Sequence, residues 1–252
     1  MRLWIQQRFL DRSYQMNTTV IITNYNQGKF AYSAIDSVYK QTHRPTRIII
    51  VDDCSTDNSV PLIREAMSKF KNVIPTELIV REKNGKPAGC RNSGIRALNA
   101  DCEVVAFLDI DDFYSPNKIE SAVNVFKRMP LVGTVYSDYY MYDVVNNKFD
   151  REFKHPFDFN LLWQTCIVST NSIVRRSTLD KTGLFDERYY GVEDYQMWLR
   201  LAMNGMVYHI PEPQFTYRIH GGNLSTNNAK FMESQIPQLK QELMSGNYKA
   251  PR

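Results

Sequence analysis

The feature that most constrains this chain is a repeated alternation of short apolar, β-branched runs with helix-period stretches. Thr18–Thr23, Arg47–Val51, Glu77–Val80 and Val104–Leu108 each read as a short strand. Polar turns follow the first three, leading into helices expected over Phe30–Tyr39, Pro61–Phe70 and Ala88–Leu98. Such runs need cover on both faces, which only flanking helices provide. The pattern therefore predicts an α/β fold with a mostly parallel central sheet and right-handed crossovers. Ligands of such sheets bind outside the carboxyl ends of the strands. Thr23, Tyr25 and Asn26 follow the first strand, Asp52 and Asp53 the second, and Asp109, Asp111 and Asp112 the fourth.

Beyond the fourth strand the pattern changes. Val132–Ser137 reads as a strand, and the aromatic-rich Tyr139–Phe153 as a strand and hairpin around Asn146-Asn147. The second half is thus expected to be mixed or antiparallel, ending in a strand over Phe215–Ile219. Residues 226–252 carry Pro237 and Pro251 and read as a helical tail with a frayed end. Residues 1–16 stand apart as a short helical extension with basic residues among Leu3, Ile5, Phe9 and Leu10. Packing on the domain or on a partner chain, and peripheral contact with the cytoplasmic membrane face, are both open to it. That leaves 17–225 as the main domain.

A chain of 252 residues with 43% hydrophobic content can bury a substantial core. Its net charge of +4 is scattered, so no basic track for nucleic acid exists. Cys54, Cys90, Cys102 and Cys166 form no CxxC pair, and neither a secretory signal nor a bilayer-spanning apolar run is evident. A reducing cytoplasm is the expected location.

The fourth strand delivers three carboxylates in four positions, Phe107-Leu108-Asp109-Ile110-Asp111-Asp112. Like charges this close repel unless a cation or hydrogen bonds compensate them. One reading is a site for Mg²⁺ or Mn²⁺, which oxygen ligands select; the other is an acidic turn before a helix starting near Ser115-Pro116. Val51-Asp52-Asp53-Cys54-Ser55-Thr56-Asp57-Asn58-Ser59 ends the second strand with acids able to accept hydrogen bonds from ribose or a base, while Asp57 and Ser59 suit a helix start. The first turn matches neither GxGxxG nor the P-loop. A diphosphate would then depend on a cation and on basic residues.

The loop from Glu82 to Gly94 combines glycines with Asn84, Lys86 and Arg91; it suits either ligand wrapping or close strand-to-helix packing. Glu193 and Asp194 stand at the start of a helix whose apolar face includes Val192, Tyr195 and Leu199. One acid suits capping, which leaves the other available as a general base. His220 ends the last strand, as a ligand or as an ordinary surface or core histidine.

Taken in order, these segments resemble inverting family 2 glycosyltransferases of the GT-A fold. Thr19–Asn26 is similar to the family's opening strand, Val51–Asp57 to its nucleoside-reading turn, and Asn84-Gly85 with Cys90–Gly94 to its third-helix loop. Leu108–Asp112 resembles the metal motif, and Gly191–Asp194 with Trp198-Leu199-Arg200 the acceptor-side catalytic segment. The resemblance covers about Thr18 to Ser225. It implies a GT-A-type, Rossmann-like sheet with a smaller mixed, acceptor-side half. It also implies a nucleotide-diphospho-sugar donor, UDP-sugar by default, an Mn²⁺ or Mg²⁺ cofactor, and a carbohydrate, lipid-linked or protein acceptor.

Residue by residue, it implies nucleoside contacts at Thr23, Tyr25, Asp53 and Asp52. Asn26, Asn84, Lys86, Arg91 and Asp109 complete the candidate donor set. Asp111 is expected by the ribose and metal, Asp112 as the foremost metal ligand, and His220 near metal or pyrophosphate. Asp194 matches the general base, and Glu193 would orient the acceptor. Trp163, Thr165 and Ser169 are expected to line the pocket. Cys54 and Cys90 stand where small residues are common, as packing substitutes. Two other readings remain, a non-catalytic nucleotide-sugar-binding module and a nucleotidyltransferase, which attacks at phosphorus.

Overall fold

A computed structural model describes residues 15–70, 73–224, 229–246 and 248–252. The extension expected over 1–16 lies almost wholly outside the described residues. In the first half the alternation is as expected: β1 (Thr18–Asn24), a 3₁₀ turn at Gly28–Phe30, α1 (Ala31–Tyr39), β2 (Arg47–Asp52), α2 (Ser59–Ser68), β3 (Thr76–Val80), α3 (Lys86–Arg96) and β4 (Val104–Asp109). Then come β5 (Phe113–Tyr114), α4 (Lys118–Arg128), β6 (Val132–Asp143), β7 (Lys148–Glu152), α5 (Phe159–Gln164), β8 (Ile173–Arg175), α6 (Arg176–Thr182), α7 (Glu193–Asn204), β9 (Met206–Ile219) and α8 (Ala229–Met244).

One sheet runs in the order β3-β2-β1-β4-β8-β6-β9-β5, with β7 paired to β6. β3, β2, β1 and β4 are mutually parallel. Past β4 the sheet is mixed, since β8 runs antiparallel to both neighbours while β6 and β9 are parallel. The β6–β7 hairpin turns at Asn146-Asn147, where Asn147 adopts φ 51°. This agrees with the expected GT-A-type layout.

Every residue of β1 is buried because β1 lies between β2 and β4, with helices over both faces. Val20 and Ile22 join Ile48, Ile50, Ala34 and Ile35 on one side. Ile21 points to the other, with Val105, Phe107, Phe185 and Trp198. Each such side chain contributes about 1.5–3 kcal/mol by leaving water, which is why the runs show no polar alternation. α3 lies so close to β1 that a Cβ at Gly94 would sit 2.5 Å from Ile21 Cγ2.

β9 begins nine residues before the strand expected from Phe215, because its prolines disguise it. The β6–β9 register shifts between the Ser137–Ile210 and Asp138–Pro213 pairs, so Pro211 and Pro213 fall at an irregularity where a missing N–H is tolerated. α8 is tied to the body. Leu239 is fully buried, and Met232, Ile236 and Leu243 pack on the cluster containing Tyr195, Trp198 and Leu199. Gln235 brackets the backbone of Tyr190, while Arg188 bridges Asp186 and Glu242.

Candidate active site

The carboxyl ends of β1, β2 and β4, the start of α3, the start of α7 and the end of β9 surround a cavity of about 460 Å³. Thr23, Tyr25, Asp53, Asn84, Lys86, Arg91, Asp109, Asp111, Glu193 and Asp194 all line it. Asn26, Asp52, Asp112 and His220 do not; the first three have evident structural tasks, and His220 lies against the cavity-facing Asp111.

Asp52 is fully buried and folds its own turn. Its Oδ2 accepts from Asn24 Nδ2 and Ser55 Oγ, each at 2.6 Å, and its Oδ1 accepts from Ser55 N at 3.0 Å. Asn26, at φ 53°, ties the first loop to the second: its N–H donates to Ser55 Oγ (2.9 Å) and its Oδ1 accepts from Thr56 N (2.8 Å). Cys54 and Lys86 are also left-handed, at φ 62° and 60°. Non-glycine residues in that region persist only where the surroundings hold them, and all three lie in cavity loops. Asp57 does cap the start of α2, accepting from Ser59 N at 2.9 Å.

With the loops so held, Tyr25 stands 47% exposed at the cavity edge, available for stacking. Asp53 accepts from Gly85 N at 2.9 Å and lies 3.2 Å from Arg81 Nη1. Burial raises its pKa, and the Gly85 N–H and Arg81 charge pull the other way. Lys86 Nζ lies 5.3 Å over the Tyr190 ring, across the cavity.

The acidic run divides into three roles. Asp109 Oδ1 accepts from Thr23 Oγ1 (2.7 Å) and from Arg91 Nη2 (2.9 Å). Asp111 points to the cavity and its Oδ2 lies 3.1 Å from His220 Nε2. Asp112 is fully buried, accepting from Asn171 Nδ2 (2.6 Å) and Arg218 N (3.0 Å). Burial and the neighbouring Asp111 and Asp109 charges push its pKa well up. The residue expected foremost as a metal ligand thus faces inward, holding β9 and the Asn171 loop.

No group of three or more His, Cys, Asp or Glu converges for a metal among the described residues. Within the Asp111–His220 pair, the Asp111 carboxylate suits Mg²⁺ or Mn²⁺, which retain water and phosphate oxygens for most of their shell. Gly222 N donates to His220 Nδ1 at 3.1 Å, which places the ring proton on Nε2 toward Asp111. A cation at Nε2 needs the other tautomer.

Asp194 is half-buried at the start of α7, its Oδ1 accepting from Tyr195 N at 2.6 Å. Burial first, then the Glu193 charge, push its pKa up to about 7, against Arg91 and the Tyr195 N–H. Glu193 is buried, its Oε1 on Arg91 Nη1 (2.8 Å) and its Oε2 on Gly191 N (2.7 Å).

Gln27, Tyr190, Tyr217 and Met232 also line the cavity and escaped the sequence reading. For Met232 a signal existed, since Met232, Ile236, Leu239 and Leu243 fall at helical spacing in the tail. Of the residues expected to line the pocket, Ser169 is buried, Trp163 packs on the core and Thr165 is exposed, and none of them is at the wall; Thr170 is.

A family model, glycosyl transferase family 2, matches residues 19–183. The chain belongs to this family. It is 39% identical over 224 residues to an uncharacterized glycosyltransferase of Nostoc sp., covering 82% of this chain and 66% of that protein. A relative from Escherichia coli, the UDP-Glc:alpha-D-GlcNAc-diphosphoundecaprenol beta-1,3-glucosyltransferase WfaP, is 29% identical over 230 residues, 88% of this chain and 85% of its own. Two Rickettsia relatives are longer, and the chain spans only about a third of each, 34% and 33%.

Among solved structures, S. aureus TarS 1-349 in complex with UDP-GlcNAc superposes with a TM-score of 0.73 at 20% identity, over 93% of this chain and 68% of that one. The Pyrobaculum calidifontis mannosyltransferase PcManGT, in complex with GDP-Man and Mn²⁺, gives 0.70 at 19% identity, over 99% and 72%. These likenesses establish the shared GT-A fold.

Proposed function

We propose that this family 2 domain transfers a sugar from a nucleotide-diphospho-sugar to an acceptor hydroxyl with inversion, using Asp194 as general base. The observation that carries this reading is the placement of the Asp194 carboxylate in the wall of the same cavity that presents Asp53, Tyr25 and Asp111, where burial also favours a raised pKa. The nucleoside sits against Tyr25 and Asp53, and the ribose near Thr23 and Asp111.

Asp194, ionised, accepts the acceptor's O–H proton as that oxygen bonds to the anomeric carbon. The bond from that carbon to the diphosphate oxygen breaks, and the nucleoside diphosphate leaves. A single displacement inverts configuration without a glycosyl-enzyme intermediate. Proton acceptance of this kind contributes roughly 10²- to 10⁴-fold, most effectively when the base pKa lies near working pH. Mn²⁺ or Mg²⁺ held by Asp111 and His220 would neutralise charge on the departing diphosphate.

WfaP is named for a UDP-glucose donor and a diphosphoundecaprenol acceptor. These are the first donor and acceptor chemistries to try, with free carbohydrate and protein acceptors beside them. No described helix is long and apolar enough to cross a membrane.

The test is a panel of nucleotide sugars with Mn²⁺, scored first by thermal shift and then by product. The expected result is selective stabilisation by one donor and release of nucleoside diphosphate with an inverted product. Pyrophosphate release instead would establish a nucleotidyltransferase, and donor binding without transfer to any acceptor a binding module.

A further inference from the structure

Arg91 lies where the two walls of the cavity meet. Its Nη2 is 2.9 Å from Asp109 Oδ1 at the end of β4, and its Nη1 is 2.8 Å from Glu193 Oε1 at the start of α7. Both carboxylates are themselves held, Asp109 by Thr23 Oγ1 (2.7 Å) and Glu193 by Gly191 N (2.7 Å). Arg91 is only 5% exposed, and its guanidinium lies 5.5 Å over the Phe185 ring. The next residue, Asn92, donates to Phe185 O (2.9 Å) and accepts from Phe185 N (2.8 Å). One turn of α3 therefore grips the segment leading to the base at two points. A buried cation matched by two carboxylates, Glu193 buried and Asp109 partly so, has little charge left for a diphosphate.

We propose that Arg91 is a positioning residue for the base: clamped between Asp109 and Glu193, it fixes the first turn of α7 and so the direction in which Asp194 meets the acceptor. This assigns Glu193 to holding α7, not to contact with the acceptor. A planar fork can satisfy two carboxylates at once, which a lysine ammonium does less well. The Arg91 charge also favours ionised Asp194, whereas Glu193 opposes it. The inference rests on the reading of Asp194 as base.

The experiment compares wild type with Arg91→Lys, Arg91→Met and Glu193→Gln, measuring UDP affinity by calorimetry with Mn²⁺ and the pH profile of kcat. UDP affinity is expected within about threefold of wild type in each. In Arg91→Lys kcat is expected to fall on the order of 10²-fold, the cost of a misplaced reacting group. The acid limb should move up by about one pH unit in Arg91→Met and down in Glu193→Gln, following the charge removed. Should Arg91→Met fail to fold, the other two variants still decide.

A tenfold loss of UDP affinity in Arg91→Lys with kcat retained would make Arg91 a donor ligand and overturn the proposal. So would a kcat loss with the limb unmoved in Glu193→Gln. A wild type that binds UDP but transfers nothing would instead overturn the base reading, and this inference with it.

Discussion

Asp111 Oδ2 lies 3.1 Å from His220 Nε2 although 109 positions separate the two residues in the chain. β9 runs beside β6 to the same end of the sheet as β4, and so brings the histidine to the acidic run. Asp112, one residue on, belongs to the interior. Asp111→Asn is expected to abolish the Mn²⁺-dependent thermal shift, and His220→Ala to weaken it. Asp112→Ala should keep that shift but lower stability, because Arg218 N and Asn171 Nδ2 lose a buried acceptor at about 1–3 kcal/mol each. Denaturant unfolding with and without Mn²⁺ checks both. A folded Asp112→Ala protein that has lost the shift, beside an Asp111→Asn protein that keeps it, would reverse the assignment.

Asp194 gives a pH prediction with two signs. As a base it must be ionised, so kcat should rise with pH through about 7, well above the ordinary carboxylate range. Stability moves the other way. A folded-state pKa raised above its unfolded value means that the native state binds the extra proton. The associated stability is present below the unfolded pKa near 3.8 and is lost as pH rises through about 7. Asp194→Asn should therefore abolish transfer and raise Tm at pH 8 relative to wild type, with a smaller difference at pH 5. Equal Tm differences at the two pH values would contradict the burial of this charge.

What the sequence made legible followed from burial on two faces. Ile21 and Ile22 point to opposite sides of β1 and are both fully buried, so their run carries the strand in its composition alone. Strand ends then gathered Thr23, Asp53 and Asp111 by topology. Side-chain direction was not legible. Asp52 and Asp53 are adjacent, yet one knots its own turn and the other faces the cavity; the same alternation separates Asp111 from Asp112. The apolar spacing of α8 from Met232 onward was legible, but not that it walls the cavity, because its contact with Gly191 joins segments about forty residues apart.

The approach of α3 to β1 sets how firmly Arg91 and Asn92 are carried. A Cβ at Gly94 would fall 2.5 Å from Ile21 Cγ2, in a region where Ile21 has no free space to retreat. Gly94→Ala should destabilise by about 1–3 kcal/mol, the usual cost of overpacking. The expected signature is a lower denaturant midpoint with an unchanged m-value. In an Ile21→Ala background the Gly94→Ala step should recover part of its loss, since alanine lacks the Cγ2 that the added methyl meets. No recovery would place the strain elsewhere.

Met232 of α8 packs against the backbone just before the base: a Cβ at Gly191 would lie 2.6 Å from Met232 Cγ. Gly191 itself has φ +79°, and Val192, Glu193 and Asp194 follow directly. The helix is anchored farther along by Leu239, which is fully buried. The two positions should therefore separate stability from activity. Leu239→Ala is expected to cost about 2–5 kcal/mol with modest change in the kinetics of the folded fraction. Met232→Ala should cost less in stability but open space at the cavity wall beside Gly191, raising acceptor KM and lowering kcat while UDP affinity holds. Measuring Tm, UDP affinity and acceptor kinetics on both variants gives the check. If Met232→Ala lowered UDP affinity and left acceptor KM untouched, α8 would be a wall of the donor side, and the division of the cavity drawn from Asp53 and Asp194 would have to be redrawn.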